Sequence, residues 1–394
     1  MVRRRPLVWL MLLLLVLSGC WSRVELNDLG IVSEVGLDRT GDGQIRVAAG
    51  IVVPGRVGTP GSVGGSRPFA EAPVAVMTET GADVMEALTR LQYRVPRRLY
   101  WGHLQVVILG EDVARAGMGP LLDFWTRHRR PRLSGYVVAV RGEALQFLQA
   151  KPLLRRLPGD ALKEILRSPV GVEITLIDVV RALSSGMQDP LLPSFGVGRA
   201  YVREGAPTSE NVLTGAALFR EDRLIGWLDQ RQLRDLQWLR GEVRTGTITI
   251  DLGQEGRISL EAYRVKSELE PRLQGNQLVA TLRAEVEADL GESTTRIDLS
   301  RTEAVQRMER MAGKAIETRL QETFARLARE EQVDPMGLML RLRRSDPASW
   351  ARIRGRWRDV LGRATLRVES QIYIRRTGRH GPPLHLPREE RTAP

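Results

Sequence analysis

The sequence contains very little cysteine and histidine, which limits the chemistry that it can support. Cys20 is the only cysteine among 394 residues, so no disulfide can form within the chain. None of the four histidines has metal-ligand spacing such as His-Glu-x-x-His; they are His103, His128, His380 and His385. The sequence also lacks a motif that pairs a nucleophile with a base. We therefore predict that the protein is not an enzyme and has no cofactor.

Long apolar runs are missing after the first twenty residues. The run from Leu7 to Leu17 follows three arginines and is shorter than the roughly 20 residues that span a bilayer as a helix. A basic start, a short apolar centre and a small-residue cleavage site are typical of a secretory signal. We predict that residues 1–19 are a lipoprotein signal peptide and that the chain has no second membrane crossing.

The residues before Cys20 suggest a role for this lone thiol. Leu17-Ser18-Gly19-Cys20 resembles the bacterial lipobox, in which the cysteine receives a diacylglyceryl group and becomes the first mature residue. Two acyl chains on one residue suffice for stable anchoring. The motif predicts that Cys20 is lipidated and attaches the protein to membrane lipid. The alternative is a secreted protein with an unmodified cysteine.

Acidic residues are fewer than basic ones, and the formal net charge is +12. A positive charge suits either a nucleic acid or an anionic membrane surface. The arginines are spread along the whole chain, without a dense basic helix, zinc spacing or an aromatic RNA-binding motif. We predict no nucleic-acid partner, because proximity to anionic headgroups accounts for the charge equally well.

Hydrophobic periodicity predicts a mixed α/β chain of the α+β class, with three domains that each contain a β-sheet packed by helices. The N-terminal α/β domain spans 20–195 and includes a Gly-rich loop at 54–68. A break rich in Pro and Gly precedes a small middle domain, 199–256. The C-terminal domain, 257–378, has a hairpin and long helices, and 379–394 is predicted to be a disordered tail.

Two predicted helices illustrate the pattern. A capping box formed by Thr80 and Asp83 predicts a helix that begins there. The longest helix is predicted behind Ser300, with an apolar stripe from Val305 to Leu327 at helical spacing. Such a stripe is more typical of a buried core face than of a partner-binding face.

Five short segments stand in an order that a known family shares. They are Cys20-Trp21 with Glu25 and Asp28; Tyr100-Trp101-Gly102-His103-Leu104; Gly110-Glu111-Asp112; Thr214 to Phe219 with Gly226-Trp227; and Gln332, Asp334 and Gly337 with Trp350 and Trp357. Together they resemble the Ger(x)C lipoproteins of spore germinant receptors. The departures are local, at Ser22, His128 and Met336.

The resemblance implies a lipid-anchored, non-catalytic subunit of a nutrient germinant receptor, needed for receptor assembly or signalling in spore germination. It also implies two integral membrane partners, one of them permease-like, and a location on the outer face of the spore inner membrane. The candidate structural or subunit-contact residues are Trp21, Gly102, His103, Gly226 and Trp227. We expect His103 to begin a buried strand and to fix the local turn by a hydrogen bond.

Two other functions fit an anchored protein without an active site. A lipid-anchored solute-binding protein of a transporter has two similar α/β lobes, with its ligand in the cleft between them. The short middle unit predicted here does not match that pattern. A structural envelope lipoprotein, which needs no ligand, is the third possibility.

Overall fold

A computed structural model describes residues 28–53, 74–127, 132–150, 157–200, 208–295 and 301–377, with Glu25 and Ile297. These residues form one sheet of nine strands and one of four, both packed by helices. The predicted mixed α/β class is confirmed. None of the helices in this part of the chain is long and apolar enough to cross a membrane.

The first sheet has the order β3-β2-β1-β5-β6-β7-β8-β9, and β4 pairs with the start of β1. Strands β5 and β6 are wholly buried apolar runs, as expected for parallel strands that helices cover on both faces. The strands are β1 (Leu29–Arg39), β2 (Ile45–Val52), β3 (Val74–Gly81), β4 (Arg98–Tyr100), β5 (Val106–Leu109), β6 (Tyr136–Val140), β7 (Leu191–Ala200), β8 (Thr208–Arg220) and β9 (Arg223–Asp229).

Within the described residues, six helices accompany this sheet. They are α1 (Val84–Arg94), α2 (Glu111–Ala116), α3 (Gly119–Arg127), α4 (Ala144–Leu148), α5 (Pro158–Arg167) and α6 (Leu176–Ser185). The predicted capping box at Thr80 is wrong, because Thr80 still belongs to β3. Asp83 is the N-cap of α1, and its carboxylate accepts the Glu86 backbone N–H at 2.8 Å.

The second sheet has the order β10-β11-β12-β13. Its strands are β10 (Gly246–Asp251), β11 (Arg257–Gln274), β12 (Gln277–Ser293) and β13 (Thr365–Arg376). The helices are α7 (Gln230–Arg240), α8 (Thr302–Ala325), α9 (Leu338–Ser345), α10 (Pro347–Ile353) and α11 (Trp357–Leu361), with a π-helical turn (Arg326–Glu330) after α8. Helix α8 buries Met308, Ile316, Leu320 and Phe324, so the apolar stripe is core as predicted. Ser300 lies outside the described residues.

The sequence predicts a sheet in each of three domains, whereas the described residues form two sheets. Strands β8 and β9, from the predicted middle unit, pair with β7 at the edge of the first sheet. Strand β10, from the same unit, pairs with β11 of the second sheet. A two-stranded hairpin alone is marginally stable in water, so these strands extend larger sheets instead. The predicted domain limits stay predictions, and the loop at 54–68 and the tail at 379–394 lie outside the described residues.

Gly215 lies where β8 approaches β9 too closely for a side chain. Its φ is +143°, and an added Cβ would lie 1.9 Å from the Leu228 carbonyl oxygen. We expect Gly215→Ala to lower the free energy of unfolding by about 2 kcal/mol, measured by urea denaturation. Gly41→Ala is the control, because no atom lies within 4 Å of its added Cβ. Equal stability of the two variants would contradict the assigned role.

Candidate functional site at the junction of the two sheets

The structure separates the residues that the sequence singles out. Cys20 and Trp21 lie outside the described residues. Gly102 and His103 lie in the turn between β4 and β5, and Gly226 and Trp227 lie on β9. Strands β6, β7 and β8 separate β5 from β9, so the two pairs are about 20 Å apart. They cannot form one site.

His103 does not begin a strand, contrary to the prediction. It is exposed in the turn, and β5 begins at Val106. Within the described part of the chain its side chain makes no hydrogen bond. The turn is held by the Leu104 N–H, which donates to the Trp101 carbonyl oxygen at 3.1 Å, and by the buried Trp101 ring, 5.7 Å from that of Trp125. The sequence does not show where this turn ends and β5 begins, because Trp101 and Leu104 are apolar and buried although they precede the strand.

Trp227 connects the edge of the first sheet to the end of α8. Its half-buried ring lies 5.2 Å from the Arg141 guanidinium carbon, within the range of a cation–π contact. Arg326, in the π-helical turn, donates from Nη2 to the Trp227 carbonyl oxygen at 2.9 Å. Gly226 lies beside Glu331, whose Oε1 is 3.6 Å from the position of an added Cβ. The predicted Gly226-Trp227 pair is therefore part of the junction between the sheets.

An ion pair with a buried carboxylate also joins the part of the chain that carries the first sheet to the part that carries the second. Arg358 on α11 donates to both oxygens of Asp189, from Nη2 to Oδ1 at 3.0 Å and from Nη1 to Oδ2 at 3.2 Å. Asp189 precedes β7 and is 8% exposed. It also accepts the backbone N–H groups of Asp334 at 2.8 Å and Glu221 at 3.3 Å. A bidentate arginine–carboxylate pair fixes both position and orientation.

Asp334 extends this network to α9, in the part of the chain that carries the second sheet. Its carboxylate is 1% exposed and accepts the backbone N–H groups of Leu338 at 2.9 Å and Met339 at 2.8 Å, at the start of α9. Burial, with a smaller contribution from the negative charge of Asp189, raises the pKa of Asp334 from 3.8 to about 7, although the two N–H groups oppose the shift. Asp334 belongs to one of the five segments that resemble the family, and its position gives that segment a structural role.

A cleft of about 710 Å³ opens beside the ion pair, between the first and last parts of the chain. Charged groups of both signs line it, among them Asp222, Asp359 and Arg356. No group of three or more His, Cys, Asp or Glu side chains could hold a metal ion in the part of the chain that the structure describes. The innermost groups are committed to hydrogen bonds between the two parts, so the arrangement is suited to rigid coupling.

Sequence reasoning does not identify Asp189 or Arg358. They are 169 residues apart and belong to no spaced motif, so a single sequence gives no signal for the pair. Gly226, Trp227 and Asp334 are identified as family-like residues, but their proximity becomes evident only when β9 and α8 are placed in three dimensions.

Known proteins resemble this chain in both sequence and fold. The model described as the spore germination protein N-terminal domain matches residues 22–197, and that described as spore germination B3/GerAC like, C-terminal, matches 214–378. Spore germination protein KC of Bacillus subtilis (strain 168) is 27% identical, over 98% of each chain. Spore germination protein B3 of the same strain is 23% identical, over 92% of this chain and 95% of the relative.

A solved structure adds the comparison of folds. The crystal structure of the GerBC protein superposes with a TM-score of 0.55 at 19% identity, over 86% of this chain and 96% of that chain. At this identity the likeness concerns the fold alone. The order of the five short sequence segments, both family models and the fold agree. The chain therefore belongs to the Ger(x)C family of spore germination proteins.

Proposed function

We propose that this chain is a lipid-anchored, non-catalytic subunit of a spore nutrient germinant receptor, needed for receptor assembly or signalling. The observation that carries the proposal is the match of both parts of the chain, 22–197 and 214–378, to spore germination families. The lipobox-like segment before Cys20 supports the anchor. The partners are two integral membrane subunits, one permease-like, at the outer face of the spore inner membrane.

The junction supports a scaffold role within such a receptor. The Asp189–Arg358 pair, the Asp334 network and the contact of Arg326 with β9 all join the two sheets through directional bonds. Surfaces on either sheet are therefore held at a fixed spacing. A subunit that positions two membrane proteins needs this property more than it needs a ligand cleft.

The solute-binding alternative has less support in the architecture. It requires two similar α/β lobes, but the two sheets contain nine and four strands and differ in their topology. The family match also favours germination over transport.

Replacing Cys20 tests the anchor and the partners together. We expect the wild-type chain in sporulating cells to incorporate a palmitate label and to recover a permease-like subunit from detergent-solubilised spore membranes. The Cys20→Ala chain should do neither, because it has no sulfur to acylate. Ser22→Ala is the control, since it lies two residues away and leaves the thiol intact. Recovery of no membrane partner, or of an ATP-driven importer, would contradict the receptor role.

A further inference from the structure

One end of the first sheet brings together α1, β4 and the start of β1. Strand β3 runs parallel to β1, because β2 pairs antiparallel with both. Helix α1 follows β3 and leads to β4, which is also parallel to β1. The helix must therefore return along the sheet and end where β1 begins. Leu29 pairs directly with Arg98 at this end.

This end carries two exposed tyrosines. Of the seven large hydrophobic side chains that are exposed among the described residues, Tyr93 at 85% and Tyr100 at 41% lie here, whereas Met85, in the first turn of α1, lies about 12 Å further along the helix. Tyr93 lies on the solvent side of α1, opposite its buried face. Tyrosine, with an apolar ring and a polar tip, is enriched where membrane meets water.

Two arginines add positive charge beside the tyrosines. Arg97 and Arg98 are both exposed, and neither guanidinium has an ion-pair partner among the described residues. Arg94, by contrast, is paired with Glu79 at 2.7 Å. An exposed carboxylate, Asp28, lies just before β1 on the chain that leads back to Cys20. We name Tyr93, Arg97, Arg98 and Tyr100 the α1–β4 face.

Gln92 makes this face a fixed surface. Its Nε2 donates to the Arg97 carbonyl oxygen at 2.9 Å, and its Oε1 accepts the Leu99 N–H at 3.0 Å. These bonds fasten β4 to the last turn of α1. The alternation in β4 then buries Leu99 and exposes both Arg98 and Tyr100.

The distance to Cys20 limits what this face can contact. Cys20 precedes Leu29 by nine residues, which extend to at most about 30 Å. An acyl group on Cys20 thus keeps the α1–β4 face near the lipid headgroups at a high effective concentration. The receptor's membrane subunits lie within the same reach, but the exposed Arg97 and Arg98 match the anionic headgroups in charge.

We propose that the α1–β4 face rests on anionic lipid headgroups, with its tyrosines at the interface and Arg97 and Arg98 against the phosphates. The inference depends on the proposed function, because the lipidated Cys20 brings the face to the membrane. The contact orients the whole subunit, since one end of the first sheet faces the bilayer. Gly102 and His103, which follow Tyr100, lie at this end too.

The lone cysteine makes the contact directly measurable. The chain from residue 20 onward is coupled through Cys20 to a maleimide lipid, in vesicles of phosphatidylcholine alone or mixed with phosphatidylglycerol. Deuterium uptake at residues 95–103 is followed by mass spectrometry. We expect uptake to be several-fold slower on the anionic vesicles. Arg97→Gln with Arg98→Gln should lower the docked-to-undocked ratio about 25-fold, since each arginine near an anionic surface contributes about fivefold.

The control removes the same charge elsewhere. Arg344 and Arg363 are exposed in the C-terminal part, and their joint replacement by glutamine should leave uptake at 95–103 unchanged. Equal uptake on anionic vesicles, on neutral vesicles and in solution would overturn the inference. Protection that appears only with the receptor's membrane subunits would overturn it in favour of a protein partner. Because maleimide coupling does not require acylation, failure here is separate from failure of the palmitate test.

Discussion

Replacing Glu34 by glutamine is expected to raise the free energy of unfolding by about 4 kcal/mol at pH 8 and by less than about 1 kcal/mol at pH 5. Glu34 is fully buried in β1, and burial, together with the negative charge of Asp160, raises its pKa from 4.5 to about 8. The backbone of Gly159, which approaches without a well-formed hydrogen bond, offsets only part of the shift.

The direction follows from the proton bound in each state. Below pH 4.5 Glu34 is protonated in both the folded and the unfolded chain, so its full contribution to stability is present. Between pH 4.5 and about 8 the unfolded chain releases the proton while the folded chain keeps it, and stability falls as pH rises. Glutamine cannot ionise, so the variant lacks this loss.

Urea denaturation of both chains across this pH range measures the effect. Glu322→Gln is the control, because Glu322 is exposed on α8 and its replacement should leave the pH profile of stability unchanged. A constant difference in stability between wild type and Glu34→Gln from pH 5 to pH 8 would contradict a proton held by Glu34.

Replacing Arg358 by leucine is expected to lower the free energy of unfolding by about 3 kcal/mol. The change leaves the Asp189 carboxylate, which is 8% exposed, without its cation. The double variant Asp189→Asn with Arg358→Leu should recover part of the loss, because it removes the unpaired charge. A separate unfolding transition for each part of the chain would show directly that the pair couples them.

A surface ion pair provides the comparison. Arg283 contacts Glu270 at 3.1 Å and Glu369 at 3.3 Å, but its side chain is 52% exposed. We expect Arg283→Leu to lower the free energy of unfolding much less than Arg358→Leu does, because water already solvates these charges. If Arg283→Leu and Arg358→Leu had equal effects, the junction would not owe its strength to burial.

Local patterns in the sequence predict the local structure well. The hairpin predicted for the C-terminal domain is formed by β11 and β12, in which Gln274 pairs with Gln277. The stripe on α8 predicts its buried face, because helical periodicity needs only near neighbours. Both features depend on residues close together in the chain, and both are confirmed.

Pairing between distant segments is what the sequence leaves open. Nothing within β8 or β10 specifies which sheet each strand joins, since a strand pattern shows the buried face but not the neighbour. The Asp189–Arg358 pair likewise depends on the completed fold. The candidate site is therefore predicted only in part: family-like segments point to Trp227 and Asp334, and the residues that join them emerge from the structure.

The place of β1 in the first sheet has a mechanical consequence. The described chain enters the sheet through β1, which has β2 on one side and β4 and β5 on the other. The hydrogen bonds to both sides lie across the strand, so a pull along its axis from the N-terminal side loads many of them at once. An edge strand would peel away bond by bond. Tension applied through the residues before Leu29 thus meets the first sheet at a strand that resists extraction by shear.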